Sequence, residues 1–357
     1  MLFGHIGDTM GRNTSLILTL LIIGLGTCLI GLLPTYDRIG ARAPVLLVVL
    51  RVTQDIGLGG EYAGASLITI EHAPPAERSF WGSLPQAASP GGLLLAAAMF
   101  GLVSMLPQDA LLAWGWRVPF LASALMLLAG LFVRMRVAET PEFNRTKKQP
   151  PEEAPGLELL RTHRRNVVLA TGARLVEAVS GNTIKSFGLA YVTSQLKLPN
   201  EVALTALTMT AAVGVLVTPF YGFLGDRFGQ QWVYLVGSGL VAALAFPFFW
   251  LLDARTVVAT WIGFVLAYNL GPTLLLSVQP SLFTRMFDAG VRYTGMSVAY
   301  QVSAIAGGFT PLLSLWLLRW SGTPWMVAAL LVDAAAISFG CVAATATATP
   351  GRRVLAR

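Results

Sequence analysis

Apolar residues in this chain come in long unbroken blocks, without the period-two alternation of half-buried strands. The blocks lie near 16–33, 44–70, 80–104, 116–134, 166–195, 202–224, 232–252, 256–283, 294–318 and 324–345. Each is about 18 residues or longer, and at 1.5 Å rise per residue a helix of that length crosses roughly 30 Å of hydrocarbon. Lipid offers the backbone no hydrogen-bond partner, so helices that satisfy themselves internally are expected, and the blocks are too long for barrel strands. The pattern predicts an all-α polytopic membrane protein with about ten full spans.

The longest polar interval, RMRVAETPEFNRTKKQPPEEAPGLELLRTHRRN at 134–166, is rich in proline and in charges of both signs. It reads as a linker. It divides the chain into an N-terminal bundle at 1–134, a cytoplasmic linker at 135–165, a C-terminal bundle at 166–345 and a cytoplasmic tail at 346–357. Short sequence GHIGDTMGR at 4–12 recurs as GFLGDRFGQ at 222–230. The second copy follows two apolar blocks and the first follows only three residues. If the halves are pseudo-symmetric repeats, the first is expected to lack one span and most of another, roughly 60 residues, which makes twelve the expected full number.

The repeated motif has a mechanical reading. Gly4, Gly7 and Gly11, with Gly222, Gly225 and Gly229 in the second copy, permit a tight turn and close helix approach. Asp8 and Asp226 can accept from backbone N–H groups at the N-terminus of a neighbouring helix, and Arg12 and Arg227 can pair with carboxylates. Such a cluster would act as a gating latch on the cytoplasmic side.

Composition agrees with a lipid-embedded chain: 55% hydrophobic and 12% charged residues, with a mean hydropathy of +0.65. The net charge of +7 is dispersed over short loops, so it argues for membrane sidedness and against a nucleic-acid partner. With the first loop placed in the cytoplasm, that side holds Arg12, Arg78, Arg134, Arg136, Arg145, Lys147, Lys148, Arg161, Arg164, Arg165, Arg227, Arg285, Arg292, Arg352, Arg353 and Arg357. The other side holds Arg38, Arg42, Arg117, Lys197, Arg255 and Arg319. The imbalance places both termini in the cytoplasm. Cys28 and Cys341 both fall inside spans and suggest neither a disulfide nor a metal site. No nucleotide-binding loop, GxSxG or HExxH is present, which removes direct ATP use and disfavours an intramembrane enzyme. Trp114, Trp116, Trp250, Trp320 and Trp325 sit at predicted outer ends, as interfacial anchors do.

Several stretches carry a resemblance. GHIGDTMGR is similar to the loop between the second and third helices of the major facilitator superfamily, whose pattern is GxLxDRxGRR, and GFLGDRFGQQ to its weaker second-half copy. GLLPTYDRIG, RVTQDIGLGGEYAGASL, EHAPPAERSFWGSLPQ, WGWRVPFL and AETPEF resemble the metabolite:proton symporter branch, with carriers of shikimate, 2-oxoglutarate, citrate, and proline with betaine. The similarity is dense from residue 3 to about 143 and looser afterwards. Thr9, Asn13, Gln230 and Gln231 depart from the basic positions of the motif, and Asp55 replaces the glycine of the branch's RxxQG pattern. The resemblance implies a major facilitator fold of two pseudo-symmetric helical bundles in the plasma (inner) membrane. It also implies symport of a small metabolite with protons by alternating access, in a monomer driven by the proton gradient with no cofactor. It assigns the Arg51 and Gln54 positions to the cavity-facing helix and lets Arg51 influence a proton-carrying carboxylate. A metabolite or drug antiporter of the same fold is the nearest rival, followed by a non-transporting truncated remnant.

Ionisable groups within spans are costly in lipid and become functional candidates by default. Arg51 and Asp55 stand four residues apart on one helical face, with Gln54 and Glu61 on the same helix. Either Arg51 holds an anionic group while Asp55 or Glu61 takes the coupling proton, or Arg51 and Asp55 form a static packing pair. After the linker, Arg174 and Lys185 are about three turns apart and share a face, with Glu177 beside them. Two cations and one anion leave a surplus positive charge suited to a substrate carboxylate, unless Arg174 snorkels to the surface. These charges favour a small organic acid, with a zwitterion as the other solute class. Pro85, Pro90 with Gly91 and Gly92, Asn269 with Gly271 and Pro272, and Gly307 and Gly308 with Pro311 are expected to interrupt helices.

Overall fold

The computed structural model describes residues 2–146 and 155–347. The middle of the linker, all but the first two residues of the tail, and five basic residues of the sidedness count (Lys147, Lys148, Arg352, Arg353, Arg357) lie outside the described residues. Among the described residues every regular element is a helix. The order begins with α1 (Leu2–Thr9), α2 (Arg12–Leu32), α3 (Tyr36–Ile39), α4 (Arg42–His72), α5 (Arg78–Val103), α6 (Gln108–Ala113) and α7 (Val118–Arg134). Next come α8 (Pro141–Thr146), α9 (Pro155–Thr162), α10 (Arg164–Asn182), α11 (Gly188–Ala190), α12 (Asn200–Phe228) and α13 (Gln230–Asp253). The last are α14 (Val257–Tyr268), α15 (Leu274–Thr284), α16 (Arg292–Ser321) and α17 (Trp325–Thr347).

Nine helices among the described residues are long and apolar enough to cross a membrane. The tenth expected span is the run from α10 to Gln195. It is helical throughout, but π-helical turns at Thr183–Phe187 and Tyr191–Gln195 interrupt it, and α10 alone carries Arg164, Arg165, Arg174 and Glu177. Of the four interruptions expected from proline and glycine, only Asn269–Thr273 leaves the α-helical state, as a π turn joining α14 to α15. α5 and α16 run unbroken through Pro85, Pro90 and Pro311.

The contacts divide the chain into two compact units. The first comprises Met1–His72, Gly92–Glu158 and Ala289–Ser297, and the second Ala73–Gly91, Leu159–Asp288 and Val298–Arg357. Relative to a division at the linker, two short pieces are traded: the start of α5 packs with the second unit and the start of α16 with the first.

In the first unit α2 packs along both α4 and α7. Gly26 makes room for Gln54, whose Nε2 donates to Thr27 Oγ1 at 2.6 Å. In the second unit α17 lies against α10 and α13, and α12 against α14. Buried polar groups tie these helices at a few points: the Tyr234 hydroxyl donates to Ala173 O at 2.8 Å, and Ser338 Oγ donates to Gly172 O at 2.7 Å. The π turn is held by Asn269, whose Nδ2 donates to Thr210 O at 3.2 Å and Val265 O at 3.0 Å. Its Oδ1 accepts from Thr273 Oγ1 at 3.2 Å.

Asn269 and Thr273 are both buried, so removing one partner leaves the other unsatisfied. Asn269→Ala is expected to destabilise the protein by about 1–3 kcal/mol, measured as a lower thermal unfolding midpoint of detergent-solubilised protein; an unchanged midpoint would show that the π turn does not depend on this side chain.

Candidate functional site

The first motif copy sits at the junction of α1 and α2. Gly11, with φ 122°, turns the chain there, in a region that L side chains rarely adopt. The turn presents Asp8 to the first residues of α16. Asp8 Oδ1 accepts from Tyr293 N at 3.2 Å, and Oδ2 accepts from Thr294 N at 2.9 Å and Thr294 Oγ1 at 2.8 Å. These are among the N–H groups that a helix leaves without an internal partner, and a carboxylate there also meets the positive end of the helix dipole. Gly7 lies against the Tyr293 ring, where any Cβ would fall 2.3 Å from a ring carbon. The Tyr293 hydroxyl donates to Gly60 O at 2.7 Å.

Arg12 is fully buried beside this cap. It faces Asp8 Oδ1 at 3.8 Å and Glu71 Oε2 at 3.5 Å, and donates to Ala289 O at 2.9 Å. Glu71 also pairs with Arg292 at 3.2 Å, and Arg292 with Glu142. Glu139 accepts from the backbone N–H of Arg12 at 3.0 Å and of Asn13 at 3.2 Å, capping α2. A buried arginine is tolerated only with such partners.

The second copy repeats the geometry within the second unit. Asp226 accepts from Ser79 N and Phe80 N, each at 2.8 Å, at the start of α5. Both aspartates therefore cap the second and third residues of a helix that begins with arginine, Arg292 in one case and Arg78 in the other. Gly229, with φ 93°, matches Gly11, and Gly222 and Gly225 lie against Ser79 as Gly4 and Gly7 lie against Thr294 and Tyr293. Gln230, at the Arg12 position, donates to Ser79 Oγ at 2.8 Å. Arg227 is exposed and lies near the Phe228 ring at 5.5 Å, with no carboxylate within 4.0 Å among the described residues.

The in-span charges of α4 depart from expectation. Arg51 and Asp55 are both exposed, and no ion pair within 4.0 Å joins them among the described residues. The static-pair expectation fails: both side chains turn outward from the packed face of α4 that Gln54 occupies, and they do not meet. Gln54 is buried against α2, not turned toward a cavity. Glu61 is taken by Arg134, whose Nη2 stands 3.2 Å from its Oε1. Sequence reading had placed Arg134 only among loop charges.

In the second unit Arg174 does not snorkel. It is 4% exposed and donates to Tyr300 O and Ser303 Oγ, each at 2.8 Å. Its guanidinium lies 3.5 Å from the Tyr300 ring centroid, and Glu177 Oε2 pairs with it at 3.2 Å. Lys185 is exposed on the π turn Thr183–Phe187, its Nζ 5.0 Å from the Tyr268 ring centroid. Among the described residues no carboxylate lies within 4.0 Å of it. Structure thus gathers Arg174, Glu177, Lys185, Tyr268 and Tyr300 into one cluster.

The profile of the Major Facilitator Superfamily matches residues 1–311. The chain belongs to that superfamily. It is 36% identical over 355 residues to the shikimate transporter of Escherichia coli (strain K12), covering 98% of this chain and 80% of that protein. It is 30% identical to the glycine betaine/proline/ectoine/pipecolic acid transporter OusA of Dickeya dadantii (strain 3937), covering 94% and 69%. Among solved structures, a double-tryptophan mutant of XylE superposes with a TM-score of 0.73 at 18% identity, over 97% of this chain and 81% of that one. FucP in its outward conformation gives 0.69 at 16%, over 93% and 82%. At these identities the structures speak for the fold. The protein is a multi-pass membrane transporter, not an enzyme.

Glu71, Glu139, Glu142, Arg292, Tyr293 and Thr294 complete the first motif cluster, and motif reading alone missed them. The stretches EHAPPAER and AETPEF contained the three glutamates, but nothing local says that they meet Arg12.

Burial pushes the Asp8 carboxyl up to about 6, against the opposing pull of Arg12 and of the Thr294 and Tyr293 donors. The folded chain therefore holds this proton more tightly than the unfolded chain, so the Asp8 contribution to stability falls as pH rises from about 4 to about 6. Asp8→Asn is expected to remove that slope. Thermal midpoints of solubilised wild type and variant between pH 4 and 7 would check it, and parallel curves would refute it.

Proposed function

We propose that this chain is a proton-coupled symporter of a small organic acid or zwitterionic metabolite, working by alternating access. The observation that carries the reading is Lys185: a cation exposed on a π turn, beside the Tyr268 ring and with no carboxylate within 4.0 Å among the described residues. π turns interrupt helices frequently at functional sites. An unneutralised cation in a span is costly unless a pathway or solute makes use of it. The relatives, a shikimate transporter and proteins described as putative proline/betaine transporters, favour the same solute classes.

Electrostatics give the coupling its sign. Arg174 and Lys185 carry two positive charges and Glu177 one negative, so the cluster holds one surplus cation that a solute carboxylate would balance. Protonating Glu177 would raise the surplus and strengthen anion binding, and by linkage a bound anion would favour the proton. Solute and proton would then load together. Each of Glu61 and Glu177 has an arginine at 3.2 Å. Glu177 is preferred as the proton carrier because it stands in the cluster that also holds Lys185, whereas Glu61 pairs with Arg134 in the first unit. In this reading the chain acts in the plasma membrane as a monomer, with both termini cytoplasmic and the proton gradient as its only energy source.

Lys185→Gln is expected to reduce uptake of labelled shikimate into proteoliposomes under an imposed pH gradient by tenfold or more. Glu177→Gln is expected to lose gradient-driven accumulation while keeping counterflow exchange. Accumulation by wild type that ignores the gradient, or full activity of Lys185→Gln, would sink the proposal.

A further inference from the structure

The second unit contains a cavity of about 340 Å³ that the Lys185 cluster does not use. It opens where the last residues of α13 meet the α16–α17 loop and the π turn Tyr191–Gln195, at the end of α13 opposite the Gly229 turn. Tyr191, Asp253, Arg255 and Trp325 line it, together with the backbone of Gly322–Pro324. Its volume lies within the range of small-molecule sites.

Three features mark it as a built site. First, its walls are fixed. The Tyr191 ring is buried between Phe187 and Phe249, each with centroids 5.8 Å away, and Trp325 is stacked on Phe246 at 6.1 Å with Trp250 edge-on to it. Secondly, the polar groups are aimed. The Tyr191 hydroxyl donates to Asp253 Oδ1 at 2.7 Å, which orients the carboxylate and leaves Oδ2 for another donor. Asp253 and Arg255 stand two residues apart with opposite charge, yet no ion pair within 4.0 Å joins them among the described residues.

Thirdly, the backbone at Arg255 is left-handed, with φ 53°. Among the described residues only Lys197 shares that state without being glycine, and Lys197 directly follows Leu196 of the same lining. The facing loop makes its left-handed turn with Gly322, φ 70°, the residue such a turn favours. Keeping an arginine where glycine would fit without strain points to a use for the guanidinium.

We propose that this cavity is a second ligand site, separate from the Lys185 cluster, that takes a small zwitterion. The cationic head lies against Asp253, within the aromatic wall that Tyr191 and Trp325 build, since a carboxylate attracts a cation. The carboxylate of the ligand pairs with Arg255. A ligand with only one of the two charges leaves the other protein charge unanswered and binds more weakly.

The test uses isothermal titration of the full chain in detergent micelles, in a Lys185→Gln background so that the transport cluster does not contribute. Glycine betaine is the zwitterionic probe, choline the cation alone and butyrate the anion alone. Saturable binding of glycine betaine is expected, at least tenfold weaker for either single-charge probe and after Asp253→Asn or Arg255→Gly. Arg255→Gly is expected to melt no lower than its parent, because glycine fits the left-handed turn, so its loss of binding is not loss of fold. Equal affinity in Arg255→Gly or Asp253→Asn, equal affinity for choline or butyrate, or no saturable binding in the Lys185→Gln background overturns the proposal. None of these outcomes bears on gradient-driven uptake at Lys185.

Discussion

A helix that starts among packed neighbours must find partners for its first N–H groups, and among the described residues side-chain carboxylates supply them at three starts, Glu139 at α2 and the two motif aspartates elsewhere. Asp8 caps α16 and Asp226 caps α5. The glycines of each motif follow from that requirement. For the aspartate to reach two successive amides, the motif backbone must approach the helix start within van der Waals distance, and the Cβ of any other residue at Gly7 or Gly222 would occupy that space. The left-handed glycine that closes each motif turns the chain away again once the carboxylate is in place. Motif, cap and close approach are one physical solution.

The same demand for internal pairing sorts the charges in the spans. Arg174 has a carboxylate, a carbonyl, a hydroxyl and a ring, so its charge is fully spoken for in the resting arrangement. Glu61 has Arg134. Once these pairs are made, Lys185 and Asp333 in the second unit and the Arg51–Asp55 face in the first are among the charges left without an ion pair within 4.0 Å among the described residues. Pairing thus does what a list of intramembrane charges cannot: it separates charges that tie helices together from charges that do not. The cost of an unpaired cation in lipid gives that separation its force.

Much of the fold was legible because lipid imposes a length on every span, and ten apolar blocks of that length read directly as helices. The motif repeat and the capping role of its aspartates were legible too, since a glycine-framed aspartate has few other uses. What stayed hidden depends on distant pairs. Nothing near Asp8 names Tyr293 and Thr294, and nothing near Arg12 names Glu71. Proline and glycine misled in the other direction: α5 and α16 absorb theirs without leaving the α-helical state, whereas the turns at Thr183–Phe187 and Tyr191–Gln195 contain neither proline nor glycine. A π turn inserts a residue into the ladder, and its signature is the packing that accommodates it, not a breaker residue.

The two motif copies share a cap but not its electrostatics. In the first, Arg12 is a buried cation answered by Glu71, which stands seven residues before Arg78. In the second, neutral Gln230 occupies the Arg12 position, and the residue seven before Arg292 is Arg285, a cation where the first copy has an anion. Arg285 feels Arg78 as a like charge, which with burial holds its pKa below the usual value, and Asp226 as the opposite charge that draws it back. The positive charge that balances the capping aspartate has therefore moved from the motif to the end of the preceding helix pair. Such an exchange keeps a cation acting on each aspartate while changing which helix carries it. It explains why the departure of Gln230 from the basic pattern leaves the cap intact: the cap depends on two backbone amides and a nearby cation, and the fold can supply that cation from either place.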